Sequence, residues 1–426
     1  MNSPAISSLL QQAKAFADQL DGGVFWRYVE EQARIGALSP RGIRRLALDA
    51  HDNEARLWLA ARGRELGCTV AYDDLANVFL RREGLDPSLP PLLLGSHMDS
   101  QPSAGAYDGA LGVMAGLAIL QGLQAADAKH RRPIEVVAWT NEEGARFAPG
   151  TSGSSWFAGV RAYEDIVSAR DDAGIGFGEA LQHTLALLQD NGLVYRSAPL
   201  IPHAYLEFHI EQGPILEQQG VPLGVVAGIQ GVHWYEVIVR GKANHAGTTP
   251  RSSRADALDG AHSLISAMKE AVYAHDDRIR FTIGKFALVP GSVNTIPSEA
   301  RFTVDLRHPE QAVLQQLDQT FGLLADQHWS NCRVELVRSS AVAPVNFTPA
   351  LIDCLSRSAK AYCEDAPVMV SGAFHDAIHL IRVCPTAMLF TTCRDGLSHH
   401  PDEQVERADA EVALRAFAMA AYELIQ

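Results

Sequence analysis

Three short apolar runs, each ending in acids or histidines, constrain the fold of this chain more than any other feature. They are "PLLLGSH" at 91–97, "IEVVAWTNEE" at 134–143 and "AYLEFHIEQ" at 204–212. Runs this apolar and this short predict strands buried on both faces. Ala-rich helical segments such as "GVMAGLAILQGLQAADA" lie between or after them, so the expected class is α/β. In open sheets of that class, ligand sites form beyond the carboxyl ends of the strands. The polar residues that end these runs are therefore the first candidates for chemistry.

Ahead of the runs, apolar positions at helical spacing in "ISSLLQQAKAFADQL" and "RRLALDAHDNEARLWLAARGRELG" predict an N-terminal helical lead-in. From about residue 229 the texture changes. "VHWYEVIVRG", "RIRFTIGKFALVPG" and "EARFTVDLRH" alternate with period two, and the helical segments "RADALDGAHSLISAMKEAVYAHD" and "PEQAVLQQLDQTFGLLADQHW" lie among them, which predicts a compact α+β insert. A helix in "APVNFTPALIDCLSRSAKAYCE" and a strand and loop system ending in "GLSHHPDE" then resume the first domain. The expected organisation is a discontinuous domain at 1–228 and 341–426, interrupted by a smaller one at 229–340. A length of 426 residues accommodates both.

A formal net charge of -14 argues against nucleic acid or an anionic membrane as partner and favours a small-molecule substrate. The six cysteines include no CxxC pair, so neither a disulfide framework nor a thiolate metal site is expected, and a reducing cytoplasm fits. "MNSPAISSLLQQAKAFADQL" lacks a basic segment followed by an apolar one, and no stretch approaches the ~20 apolar residues that span a bilayer. The expectation is a soluble, unprocessed cytoplasmic protein.

In "HMDSQPSAGAYDG", His97 and Asp99 stand two apart at a strand end, and Asp108 follows a loop of small residues. Imidazole and carboxylate suit zinc, manganese and related divalent ions. The small residues allow the loop to bring Asp108 back beside His97, and Asp99 suits accepting a hydrogen bond from the other nitrogen of His97. The plain alternative is a polar loop with Asp108 at a helix N-terminus, where any carboxylate is favourable. The second run ends in adjacent acids, Glu142 and Glu143, which repel unless cations or protons balance them. The third delivers His209, with Glu211 two residues later, and the C-terminal loop supplies His399 and His400. A lone histidine is more often a core or surface residue than a ligand. Four separate segments that each supply His, Asp or Glu are a much rarer coincidence.

The segments "GSHMDSQPSAGAYDG", "TNEEGARF", "HIEQGP", "GKANHAGTTP", "GSVNTIP", "VDLR", "HDA" and "GLSHHPDE" occur in that order. Together they resemble the aminoacylase and carboxypeptidase type of di-metal amidohydrolases. The resemblance is to the hydantoinase/carbamoylase branch, which includes N-carbamoyl-L-amino acid hydrolase, β-ureidopropionase and allantoate amidohydrolase. It implies a di-metal exopeptidase-like catalytic domain with an inserted α+β dimerisation and lid domain. It also implies that Asp108 bridges two divalent metal ions, zinc foremost, with manganese, cobalt or nickel as the other options. His97 and His209 would hold one ion, Glu143 and His399 the other, with Glu142 the general base and Asp99 beside them; spacing alone does not separate the roles of Glu142 and Glu143. Two cations sharing a water lower its pKa, and an unligated carboxylate next to them takes the proton.

By the same resemblance, His245 reaches the partner subunit's site in a homodimer and stabilises the oxyanion, while Asn294 and Arg307 hold the substrate. Arg307 would fork onto a substrate carboxylate, a task that suits its planar donors. Gln212 and His375 are further candidates for contact with an amide or ureido end. The plain readings are a surface strand charge for Arg307 and a loop before a helix for "NHAGTTP". Phe374 stands where the family usually has a small residue, and Arg251 where an apolar one is common. "SAGAYDG" is less Gly-rich than usual, and "SHHP" sets His400 next to His399, with motif register favouring His399. The expected reaction is hydrolysis of an N-carbamoyl-L-amino acid to amino acid, carbon dioxide and ammonia. Allantoate hydrolysis, N-acyl amino acid or dipeptide hydrolysis, and a metal-binding protein without activity are the competing readings. "GIGFGEA" at 174–180 lacks the GxGxxG spacing and a preceding strand, and "GTSGS" at 150–154 lacks the GxSxG of a nucleophile elbow.

Overall fold

The computed structural model describes residues 4–39, 42–197 and 200–426. Its contacts divide the chain into two units, Met1–Ala227 with Phe347–Gln426, and Gly228–Asn346.

The first unit is built on four parallel strands in the spatial order Thr386–Thr391, Ala204–Ile210, Leu92–His97 and Ile134–Trp139. Every residue of these strands is buried, which is why they read as apolar runs rather than as alternation. Leu223–Ile229 flanks them antiparallel on one side. On the other side Val78–Arg82 and Thr69–Tyr72 follow, also antiparallel, with Val194–Tyr195 at the edge. The helix Ala110–Ala125 packs on the sheet so closely that a Cβ on Gly112 would lie 2.3 Å from the Phe208 carbonyl oxygen. The terminal helices Pro4–Asp18 and Arg407–Ile425 pack together, with Phe16 and Tyr422 stacked at 4.9 Å.

The lead-in differs from the sequence reading at one point. Its helix begins at Ala50, where Asp49 accepts a hydrogen bond from the Asp52 N–H, and residues 44–49 are not helical. The "RRLALD" segment has helical spacing, but Arg45 is held in place by contacts far away in the sequence, described below.

The second unit is an antiparallel sheet in the order Arg280–Thr282, Glu299–His308, Gly231–Arg240 and Arg333–Val342, with Phe286–Val289 also paired to Glu299–His308. The helices Ala257–Tyr273 and Gln311–Ala325 cover one face, burying Leu264, Met268, Leu317 and Phe321 with Tyr235, Val237, Phe302 and Val304. The unit ends later than the 340 read from the sequence, because Val342 still pairs with Val232 in its sheet.

Candidate metal and active site

The parallel strands all end at one edge of the sheet in the first unit. Register places His97 beside Trp139, after which the chain runs to Glu142 and Glu143, and places His209 beside Phe390, after which it runs to His399. The turns that aim these side chains use backbone rarely adopted by residues other than glycine. Asn141, Gln212 and His399 have φ of 56°, 56° and 55°. Such residues cost about 1–3 kcal/mol each and persist where their surroundings hold them, commonly at functional sites. Gly109, at φ 63°, is a steric necessity, since a Cβ there would lie 2.3 Å from the His97 ring.

Asp108 is the hub. Its Oδ1 lies 3.1 Å from His209 Nε2 and 3.8 Å from His97 Nε2, while its Oδ2 lies 3.3 Å from His399 Nε2. His399 Nε2 is also 3.4 Å from Glu143 Oε2. Two groups therefore share Asp108, one with His97 and His209 and the other with Glu143 and His399, each with its ligand atoms within 4.8 Å. A third group of the same kind, Glu207, His209 and His375, overlaps the first. Its members are already engaged: Glu207 accepts from Ser96 Oγ and the Ala377 N–H, and His375 Nε2 meets Ser371 Oγ at 2.9 Å.

The electrostatics of this edge are those of acids in excess. Burial, reinforced by Asp376, Glu143 and Asp99, pushes Glu142 well above the usual carboxylate range, and its Oε2 lies 3.5 Å from His97 Nε2. Burial and Asp108 raise Glu143 to about 8. Burial would raise Asp108 too, but hydrogen bonds from His209 and His399 outweigh it and hold the group well below its ordinary value. Burial lowers His97 to about 4, whereas the Asp108 contact carries His399 up to about 9. Glu143 Oε1 is buried with no hydrogen-bond partner. Imidazole and carboxylate donors, a shared aspartate and an orphaned carboxylate oxygen fit a pair of divalent cations.

The description "Peptidase family M20/M25/M40" matches residues 93–423, a span that contains every residue of this cluster. The chain belongs to peptidase family M20/M25/M40. Among its M20 relatives, the N-carbamoyl-L-amino-acid amidohydrolase of a Pseudomonas species is 37% identical, over 90% of this chain and 93% of that protein. The allantoate amidohydrolase of Bacillus subtilis is 32% identical, over 93% and 96%. The crystal structure of an amidase of the hydantoinase/carbamoylase family from Burkholderia multivorans shares 38% identity and a TM-score of 0.88, covering 95% of this chain and 98% of that one.

Several residues in this M20 chain stand differently from the sequence reading. Asp99 orients His97 through its main-chain carbonyl, 2.9 Å from Nδ1, rather than through its carboxylate. The carboxylate instead accepts the Glu142 and Glu143 N–H groups at 3.2 Å each, because two unpaired amides lie closer to it than the ring does. Gln212 donates to Asp108 Oδ2 at 2.8 Å. His375 is buried, its ring 4.4 Å from that of His209. Phe374 is half-buried and Arg251 exposed. His400 is exposed and belongs to none of the ligand groups, its Nδ1 accepting the Asp402 N–H.

Three residues absent from the sequence reading also serve the cluster. Gln101 donates to Glu143 Oε2 at 2.8 Å. Glu403 accepts the Tyr107 and Asp108 N–H groups, and Ser398 Oγ bridges Glu403 and Asp108. The one signal for the last two was their place in "GLSHHPDE", around His399.

Within the second unit, His245 and Asn294 are brought together. Asn244–His245 pairs with Thr295–Ile296, and the Ala246 N–H donates to the Asn294 carbonyl at 3.0 Å. His245 Nδ1 accepts the Gly247 and Thr248 N–H groups at 3.0 and 3.2 Å, which leaves the ring proton on the exposed Nε2. Arg307 lies on the strand Glu299–His308, its Nε and Nη2 on the Asp305 carboxylate at 2.8 and 2.9 Å.

Proposed function

We propose that this protein is a metal-dependent amidohydrolase that cleaves a linear C–N bond, with an N-carbamoyl-L-amino acid as substrate and amino acid, carbon dioxide and ammonia as products. The observation that carries the reading is Asp108 set between two ligand groups, with the Glu142 carboxylate, 3.5 Å from His97 Nε2, at their side. His97, His209 and Asp108 would hold one divalent cation, and Asp108, Glu143 and His399 a second, zinc or manganese by donor type. Bound there, the cations supply Lewis-acid activation of water and of the scissile carbonyl.

The chain's own residues do the rest. Glu142 takes the proton of the attacking water on its carboxylate and returns it to the departing nitrogen, the role for which a buried carboxyl with a raised pKa is suited. Asp99 holds the Glu142 main chain, and Gln212 and Ser398 keep Asp108 Oδ2 in place. To the insert we assign recognition. His245 offers its Nε2 proton to the developing oxyanion, and Asn294 and Arg307 bind the substrate, Arg307 exchanging Asp305 for the substrate carboxylate. The acting assembly in this reading is a homodimer formed through the insert. The six free thiols accord with a reducing cytoplasm, and no helix of the described residues is long and apolar enough to cross a membrane.

The relatives named for carbamoyl amino acids and for allantoate make these two the substrates to separate. The test is ammonia release by metal-reconstituted protein from N-carbamoyl-L-amino acids, N-carbamoyl-β-alanine and allantoate. N-acetyl amino acids are followed by an amine assay, and a chelated control accompanies each. Chelator-sensitive turnover of a carbamoyl amino acid above the others is expected; preference for allantoate or an acetyl compound overturns the substrate, and silence throughout overturns the activity.

A further inference from the structure

The N-terminal lead-in has no part in the chemistry above, yet it grips the ligand loop along its length. Arg45 is fully buried. Its Nε donates to the Met98 carbonyl at 2.6 Å, its Nη1 to the Gln32 carbonyl at 3.1 Å and its Nη2 to Gln32 Oε1 at 2.6 Å. Gln32, also fully buried, carries the connection on, its Nε2 donating to the Ala106 carbonyl at 2.7 Å. Main-chain ties run alongside. The Arg45 N–H donates to Ser100 Oγ at 3.0 Å, the Ser100 N–H donates to the Arg45 carbonyl at 2.8 Å, and Gly42–Ile43 pairs with Ala104–Gly105. Met98 follows His97 directly, and Ala106 stands just ahead of Asp108. One guanidinium and one amide thus hold both ends of the loop that spaces these two ligands.

A buried guanidinium is costly unless its donors are satisfied, and breaking such a set leaves uncompensated charge. Here no carboxylate accepts from Arg45 among the described residues; its acceptors are two main-chain carbonyls and one amide. The cost is therefore met by fixing backbone positions rather than by an ion pair. What is fixed passes outward to the rest of the cluster. Asp99 holds the Glu142 and Glu143 N–H groups, and Gln101 holds the Glu143 carboxylate, so both acids take their positions from the same loop.

We propose that Arg45 and Gln32 are a positioning pair for the metal centre, setting the separation of His97 from Asp108 and, through Asp99 and Gln101, the placement of Glu142 and Glu143. This rests on the reading of His97, Asp108, Glu143, His209 and His399 as metal ligands. A merely structural pair would affect stability alone. A positioning pair governs zinc affinity in protein that is fully folded.

Gln32→Glu separates the two. It keeps an acceptor for Arg45, now a charged one, but removes the donor to Ala106, so one end of the loop is released while the other is held. Arg45→Lys keeps the charge and removes the fork. Zinc alone is titrated into each chelator-buffered full-length protein, at a temperature where circular dichroism shows it folded. Both variants are expected to bind zinc about 10–100-fold more weakly than wild type, the range for groups that orient ligands. Affinities within twofold of wild type in both variants overturn the proposal. So does a loss that tracks the melting temperature and disappears on cooling. Failure of the wild type to bind zinc at all overturns the metal-centre reading itself, and the positioning role with it.

Discussion

At the carboxyl edge of the parallel sheet, Asp108, Glu142 and Glu143 are buried with histidines as their only ion-pair partners among the described residues. In the insert, by contrast, each charge of interest has a partner close by and water within reach. Arg307 forks onto Asp305, Arg278 onto Asp276 and Glu310, and Arg240 onto Glu299 and Glu335. The difference separates two kinds of recognition. Buried, undercompensated acids are a standing demand for cations, and the structure around them is organised in advance. Accessible ion pairs are worth little, commonly about 0–1 kcal/mol each, so one of them can be exchanged for a substrate carboxylate at small cost. In the proposed reading the sheet edge holds a charge permanently and the insert trades one.

The comparison breaks most visibly at Glu142. If the proposed roles hold, Glu142→Gln removes the base and leaves all five ligands, so kcat is expected to fall by about 10²–10⁴-fold while bound metal, measured by atomic emission, stays at the wild-type level. Retained turnover would remove Glu142 as base. Glu143→Gln is the counterpart. It alters a proposed ligand that carries an orphaned oxygen, so metal content is expected to fall first and activity to follow, recovering in part at high metal concentration. Equal metal loss in the two variants would mean that their roles are not distinct. Arg307→Ala is expected to act on substrate alone, raising KM by about 10–100-fold, as loss of a charged hydrogen bond does, with metal content untouched. An unchanged preference between a carbamoyl amino acid and its amide would end the anchor assignment.

The sequence carried the sheet edge better than the wiring behind it. His97, Glu142, Glu143 and His209 were legible because each ends an apolar run, and a run buried on both faces fixes which end of it meets the ligand. Glu403 was not, because what it does depends on Tyr107 and Asp108, almost three hundred residues earlier, and no local pattern encodes that pairing. Arg45 was misread for the same reason. Its spacing is helical, but its donors are claimed by Met98 and Gln32, and tertiary hydrogen bonds override a weak local preference. Asp99 shows a finer limit. Its presence beside His97 was evident, but which of its oxygens serves the ring depended on two amides from another strand.

The smallest expected effect is on stability against pH, and between pH 6 and 9 it arises from the raised groups of the sheet edge; Asp108, lowered there, and Asp276, lowered in the insert, act only on acidification. In metal-free protein Glu143 stands at about 8 against an ordinary 4.5, and Asp99 at about 7 against 3.8, burial being the main cause of both. Both are raised, so their contribution to stability is complete below the ordinary value and is lost as pH climbs through 7 and 8. His209 and His399, at about 9 against 6.5 because Asp108 favours their charged forms over the cost of burial, lose theirs in the same direction, between 6.5 and 9. In the insert, hydrogen bonds from Arg278 lower Asp276, so its contribution is present above 3.8 and is lost only on acidification. From pH 6 to pH 9 the chelated protein should therefore melt at steadily lower temperature, with the loss arising at the sheet edge. In a unit larger than about 250 residues a loss of about 1 kcal/mol moves the midpoint by about 2 °C or less, which calorimetry resolves. Metal reverses the trend. Cations bind the deprotonated ligands and tighten as pH rises, so the gap between loaded and chelated melting temperatures should widen across the same interval. A chelated midpoint that holds or climbs from pH 6 to 9 would mean that the acids at this edge are already compensated by protein alone, and the contrast between a region built to hold charge and one built to trade it would fail.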